Sequence, residues 1–273
     1  MDEFVIMNVE DYQDICDAMR QVTGSSDTFT IGKILDLVDG LTTGELEDVF
    51  ITRTLTSYSD EEATLLRSYC FAGMSNLSEV YFPNLTSLGT YTFTEVGSVK
   101  ANTETFPKVT SAGSNAFRSS GVTEADFPLV TGSTGSWYGC KKLIRANFPN
   151  AKTLGSFNLC SALTECNIPL VTALATNTLR GCNALQKIDL HCCTSVGSYA
   201  FYGNKLFDTL ILRSNTVATL AATNALGSTP IAKGTGYIYV PSALVVDYKV
   251  ATNWSTYADQ IRAIEDYPEI CGE

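Results

Sequence analysis

Histidine is almost missing from this chain: among 273 residues, His191 is the only one. With no second imidazole to join it and no Cys-x-x-Cys spacing among nine cysteines, the usual zinc spacings are missing and metal binding is poorly supported. Basic residues are also scarce. Lysine and arginine number 18 against 29 aspartates and glutamates, for a net charge of −11. Nucleic acid and anionic membrane both call for basic patches, so neither suits this surface as a main partner. No apolar run approaches the roughly 18 residues of a spanning helix, which argues against membrane insertion. The N-terminus, Met1-Asp-Glu-Phe-Val-Ile-Met7, has no basic flank before its apolar residues and is not expected to be a secretory signal. No cofactor motif is present either. Gly234-Thr-Gly236 is too short and wrongly placed for a phosphate loop.

What the chain does have is repetition. An apolar residue, two variable ones, an apolar one, a variable one, an apolar one and a proline recur along its middle. The phrase reads Leu77-Ser-Glu-Val80-Tyr-Phe82-Pro83, then Val122 to Pro128, Leu143 to Pro149 and Leu163 to Pro169. Degenerate copies run from Leu185 to His191 and from Phe207 to Arg213. The terminal column, Pro83, Pro107, Pro128, Pro149, Pro169, His191 and Arg213, advances in steps of 24, 21, 21, 20, 22 and 22. Half a repeat away a bulky column advances with it: Phe71, Phe93, Phe117, Trp137, Phe157, Leu179, Phe201 and Leu226. A period of this size means a solenoid, in which each turn packs on its neighbours. The copy ending at Pro107 puts Glu104 where Val80 stands in the first copy, so a bulge or a two-residue insertion is expected there.

The flanks do not repeat. Residues 1–48 are expected to form a short helical attachment segment. Tyr12, Ile15, Cys16 and Met19 share one helical face, and Thr30 can cap a second helix through Val38. Residues 49–226 form the solenoid of about seven to eight turns, led in by the β-rich stretch Phe50-Ile-Thr-Arg-Thr-Leu55. Residues 227–273 are the C-terminal cap, with a last strand at Tyr237-Ile-Tyr-Val240, a helix over 242–251, and Trp254, Tyr257 and Ile261 covering the end.

Within each turn the variable strand positions face solvent and stack into columns. One reads Glu79, Glu124, Arg145, Glu165, Lys187 and Thr209, whose alternating charge suits a register-setting ladder. Its neighbour reads Tyr81, Asp126, Asn147, Asn167, Asp189 and then Ile211. The first five are the candidate ligand-binding residues, and the same polarity suits plain solvation. Cys140, Cys160 and Cys182 each follow the bulky column by three residues and read as small buried thiols packing as apolar groups.

The phrase Gly139-Cys140-Lys-Lys-Leu143-Ile-Arg-Ala-Asn-Phe148-Pro149, with Ala200-Phe201-Tyr-Gly203, resembles the BspA-like leucine-rich repeat. The resemblance implies a β-rich, right-handed, curved solenoid with one short parallel strand per turn, and a role in adhesion or protein contact. Both flanks resemble a second grouping, the tail-associated proteins of phages and prophages of Gram-positive gut bacteria. The residues concerned are Ile15-Cys-Asp-Ala-Met-Arg20 and Thr30-Ile-Gly-Lys33 in front, with Tyr239-Val-Pro-Ser-Ala-Leu-Val-Val-Asp-Tyr-Lys249 and Asn253-Trp254 behind. That resemblance implies an assembly partner in the tail, reached through the N-terminal helices. It also implies cytoplasmic assembly, with the virion or cell surface reached without a signal sequence.

Three functions follow for comparison. The leading one is a non-catalytic module binding a protein or a cell-surface glycan, with no metal and no catalytic residue. A purely architectural, oligomer-forming spacer is the second. A tail-borne glycan hydrolase is the third. It needs two carboxylates roughly 5–9.5 Å apart, for which Glu124 and Asp126 in adjacent columns are the available pair.

Overall fold

In the computed structural model, residues 56–66 and 68–272 are described. The helices expected over residues 1–48, and Phe50 to Leu55 of the lead-in, lie outside them. The described chain is a β-rich solenoid whose strands all pair in parallel. Ser57–Ser59 pairs with Glu79–Tyr81, and Glu124–Asp126 pairs with Arg145–Asn147, which pairs with Glu165–Asn167. Lys187–Leu190, Thr209–Leu212, Tyr237–Val240 and Ile261–Ala263 continue the series as a four-stranded sheet. Period-two alternation explains these strands: Val80, Ala125 and Ala146 point inward between neighbours that point out.

Each turn also touches the next at a second place. Leu65–Leu66, Ser87–Leu88 and Ser111–Ala112 form one short ladder, and Ala173–Leu174, Ser195–Val196 and Thr219–Leu220 another. A single bridge between Ser133 and Thr153 stands between them. These two-residue contacts come in addition to the one strand per turn read from the repeat.

The interior is built from two aromatic columns. Along the bulky column, Phe71 to Phe93 is 5.0 Å between ring centres, Phe93 to Phe117 5.2 Å, Phe117 to Trp137 4.6 Å and Trp137 to Phe157 6.2 Å. The residues before the prolines stack as well: Phe82, Phe106, Phe127 and Phe148 follow at 5.9, 6.0 and 5.8 Å. Ring spacing follows the roughly 4.8 Å separation of adjacent strands, so one strand step carries one ring step. Every one of these rings is buried. The irregular copy holds a two-residue insertion, as expected. Val99 to Phe106 spans seven positions where Leu77 to Phe82 spans five. Ala101, buried and bridged to Ala125, takes the place of Val80. The extra residues form a turn in which the Asn102 side chain accepts from the Glu104 and Thr105 amides at 3.1 and 3.4 Å.

The cysteine column is more than apolar filling. Cys140 donates to the Phe117 carbonyl at 2.8 Å, Cys160 to that of Trp137 at 3.1 Å, and Cys182 to that of Phe157 at 3.2 Å. At the same place one turn later, the Asn204 amide donates to the Leu179 carbonyl at 3.0 Å. Each side chain thereby adds a bond to a carbonyl of the turn before it. The reading of these thiols as purely apolar is corrected on this point. Burial pushes the Cys160 and Cys182 thiols upward, and the thiolate is the reactive form. Iodoacetamide at pH 8 should therefore alkylate half-exposed Cys192 at least about tenfold faster than Cys160 or Cys182 in native protein. Mass spectrometry of timed quenches reads the ratio, and equal rates would show an open column.

At the C-terminal end, Trp254 donates to the Ala218 carbonyl at 2.6 Å, the Tyr248 hydroxyl accepts from the Ala218 amide at 2.9 Å, and Tyr257 donates to the Thr223 carbonyl at 2.5 Å. All three rings are buried, and the indole and phenol groups occupy the backbone positions that another turn would have paired. Ile261 is buried too, but it opens a further strand rather than closing a helix. After that strand, residues 264–272 turn back across the outer face of the long ladder.

Candidate binding face

The five predicted residues do not form one surface. Three of them do. Asn147 donates to Asp126 at 2.7 Å, and Asn167 donates to Asn147 at 2.7 Å, a hydrogen-bonded row across three adjacent strands. The register puts Asp126 opposite Asn147 and Asn147 opposite Asn167, so the row follows from strand pairing. Beside it, Arg145 and Glu124 pair at 2.7 Å. Each such cross-strand contact contributes about 0.2–1 kcal/mol on an exposed sheet. One amide N–H each of Asn147 and Asn167, and lone pairs on Asp126 and Asn167, remain available to a ligand.

Tyr81, 45% exposed, is separated from this row by the inserted turn. That turn is tied to the row's edge, because Asn102 donates to Glu124 at 3.2 Å.

Asp189, which continues the same column, is set apart from this row by an ion pair of its own. The Arg213 guanidinium holds its carboxylate with bonds of 2.9, 3.1 and 2.9 Å, and His191 lies 3.6 Å away. Arg213 also donates to the Cys271 carbonyl, and Lys187 to that of Ile270. Both cations therefore fasten the C-terminal strap. Beneath it Ile211, Tyr239, Ile264 and Cys271 form a small apolar core, flanked by Tyr267 and Ile270. Ile211 is thus buried, not solvent-facing as its column position suggested. The expected charge ladder is realised at one step only. Among the described residues Glu165 has no ion pair, because its neighbour Lys187 serves the strap. The signal in the sequence was the apolar pair itself: Ile211 and Tyr239 stand in a column that is otherwise mostly polar.

The strap is also held where it begins. Glu265 accepts from the Ser242 amide at 2.9 and 3.2 Å and from its hydroxyl at 3.0 Å. Its own backbone amide, then these Ser242 donors, draw its carboxyl below the ordinary range.

What remains open is the outer face of Glu124–Asp126, Arg145–Asn147 and Glu165–Asn167. It is bounded by the inserted turn on one side and the strap-covered sheet on the other. Both carboxylates considered for hydrolysis are structurally engaged, Glu124 by Arg145 and Asn102, and Asp126 by Asn147. Among the described residues no three of His, Cys, Asp and Glu converge as a metal site requires. Nor is any helix among them long and apolar enough to cross a membrane.

Comparison with known proteins agrees with this geometry. The family described as "BspA type Leucine rich repeat region" matches residues 64–169 and 133–231 in six copies. Among solved structures, a leucine-rich repeat protein from Bacteroides ovatus superposes with a TM-score of 0.55 at 18% identity, over 77% of this chain and 53% of that one. A leucine-rich cell surface protein from Faecalibacterium prausnitzii gives 0.43 at 16% identity, over 78% and 65%. The pneumococcal vaccine antigen PcpA gives 0.40 at 12% identity, over 76% and 67%. The chain thus spans about half the length of the first of these and less than two thirds of the second. At these identities the likeness concerns the fold. No curated protein matches. None of these matches is described as a phage-tail protein.

Proposed function

Because the chain belongs to the BspA-type leucine-rich repeat family, we propose that it is a non-catalytic binding module for a protein or a cell-surface glycan. Its working surface is the row Asp126, Asn147 and Asn167, with Glu124 and Arg145 alongside. The observation that carries this reading is the bounded, unoccluded face of three strands between the inserted turn and the strap. Side chains already locked to one another lose little conformational entropy on binding, which favours a preorganised face over a mobile one. A solenoid also supplies a broad, rigid surface, which suits recognition better than chemistry. The proposal gives residues 1–48 the attachment role, to a phage or prophage tail or to another assembly. That part draws on the sequence resemblance alone.

The test is an array of extracellular-matrix proteins and bacterial or host glycans, probed with the full chain. A triple variant, Asp126→Ala, Asn147→Ala and Asn167→Ala, should lose at least about tenfold in affinity for whatever the wild type retains, equivalent to about 1.4 kcal/mol. Its circular dichroism should stay that of a folded solenoid. Undiminished binding by the folded variant would remove this face from consideration.

A further inference from the structure

One turn of the solenoid is a residue short, and the shortage opens a groove. Phe117 to Val122 spans five positions, where Phe93 to Val99, Trp137 to Leu143 and Phe157 to Leu163 each span six. Ser120 and Gly121 of this shorter turn line a depression together with residues of the turns on either side. The result is an open groove of about 720 Å³, within the range of small-ligand sites. It shares no residue with the strand face, so its test stands apart from that reading.

Its chemistry is unlike the rest of this acidic surface. Ser75, Ser98 and Ser119 line it with hydroxyls that have no hydrogen bond among the described residues, and the Asn76 amide is equally unengaged. Lys141 and Lys142 line it as well, exposed and without an ion pair among the described residues. Two adjacent uncompensated cations stand out in a chain of net charge −11. Arg118 lies close by but is turned onto the Tyr138 ring at 5.1 Å and does not line the groove.

The backbone points to the same place. Two residues after the bulky column each turn adopts a left-handed conformation, and Gly73, Gly139, Gly181 and Gly203 supply it. Glu95, Ser119 and Leu159 adopt it with side chains present, at φ of 56°, 53° and 65°, and all three line this groove. Of the other non-glycine residues in that column, only Ser228 lies elsewhere. Left-handed backbone disfavours a side chain that glycine would spare, and the fold also holds it at Tyr69, Tyr91, Asn115, Asn177 and Tyr199, away from the groove.

From these observations we propose that the groove binds a phosphate-bearing glycan. Serine hydroxyls and the Asn76 amide suit sugar hydroxyls, and Leu159 offers a small apolar contact. Lysine is a point charge that meets a phosphate from many directions, and two adjacent lysines without an acidic partner gain most from the more highly charged anion. Glu95, two turns away from the lysines, sets the polarity: phosphate at the lysine end, uncharged sugar at the other.

Biolayer interferometry with the full chain can decide this, using phosphomannan as the probe, polygalacturonate as a carboxylate control and dextran as a neutral one. Phosphomannan should bind, weakening steeply with added salt. Lys141→Gln with Lys142→Gln should weaken it at least tenfold, while Lys205→Gln with Lys233→Gln should change it less than twofold. Ser119→Gly should raise the melting temperature by relieving the left-handed serine, and should lower phosphomannan affinity. The proposal fails if wild type does not bind phosphomannan, if polygalacturonate or dextran binds as tightly, or if both lysine pairs weaken binding alike. It fails equally if Ser119→Gly leaves affinity unchanged.

Discussion

Replacing Trp137 by alanine should cost roughly 3–5 kcal/mol and divide the solenoid's unfolding into two steps. The indole is 1% exposed and stands between Phe117 at 4.6 Å and Phe157 at 6.2 Å, with Phe127 and Phe148 each 5.9 Å away in the second column. Its ring N–H donates to the Thr134 carbonyl at 3.0 Å. Removing it opens a void among four other rings, and leaves that carbonyl without its partner. In a compact domain the surroundings would collapse partway into the gap. Here the turns around Trp137 pack on their immediate neighbours, so the gap weakens the join between the N-terminal and C-terminal halves. Urea unfolding followed by far-UV circular dichroism should show a lower first midpoint and a shallower slope than wild type. Trp137→Phe keeps the stack and loses the hydrogen bond, so it should cost about 1 kcal/mol plus a smaller packing loss. An alanine variant within about 1 kcal/mol of wild type, still unfolding in one step, would show that the columns do not carry the fold.

The parts of this molecule that were legible in the sequence are those that every turn repeats. Phe71 through Phe157 line up because the same backbone step places the same side chain inside, so a column in the sequence becomes a column in space. Asp126, Asn147 and Asn167 were readable for the same reason. The features that escaped belong to single turns or to contacts distant in sequence. Asp189 looked like the next member of the row, yet Arg213 lies 24 residues on and the Cys271 carbonyl that completes the clamp a further 58. No periodicity points to such a partner. The second ladder escaped because two-residue contacts such as Ser195–Val196 leave no alternation to read. The groove arises from one missing residue before Val122, a change too small to disturb either column. Deviations from the repeat thus account for the strap, the boundary of the face and the groove, while the repeat accounts for the scaffold beneath them.

Gly155→Ala should be as damaging as the loss of the indole, although it adds a single methyl group. Phe148 to Phe157 spans nine positions, where Ile168 to Leu179 and Leu190 to Phe201 span eleven. A shorter path round the same core presses this stretch of backbone onto the turn before it. A β-carbon at Gly155 would lie 1.6 Å from the Gly135 carbonyl oxygen and 2.4 Å from its carbon, and neither atom belongs to a flexible side chain. The turn must therefore move. Moving it strains the Gly155 amide's bond to the Thr134 hydroxyl at 2.9 Å and the bridge between Ser133 and Thr153. A loss of roughly 3 kcal/mol or more is expected, measured by urea or thermal unfolding. Gly132→Ala is the matching control. It lies just ahead of the same bridge with nothing within 4 Å of its added carbon, and should stay within about 0.5 kcal/mol of wild type. The strands on either side of this contact carry Asn147 and Asn167, whose 2.7 Å bond depends on the spacing of the turns. Displacement at Gly155 should thus weaken binding at the strand face as well as stability. A Gly155→Ala protein as stable as Gly132→Ala would mean that the turns are not packed backbone to backbone there, and that the face above them is not held in register by that contact.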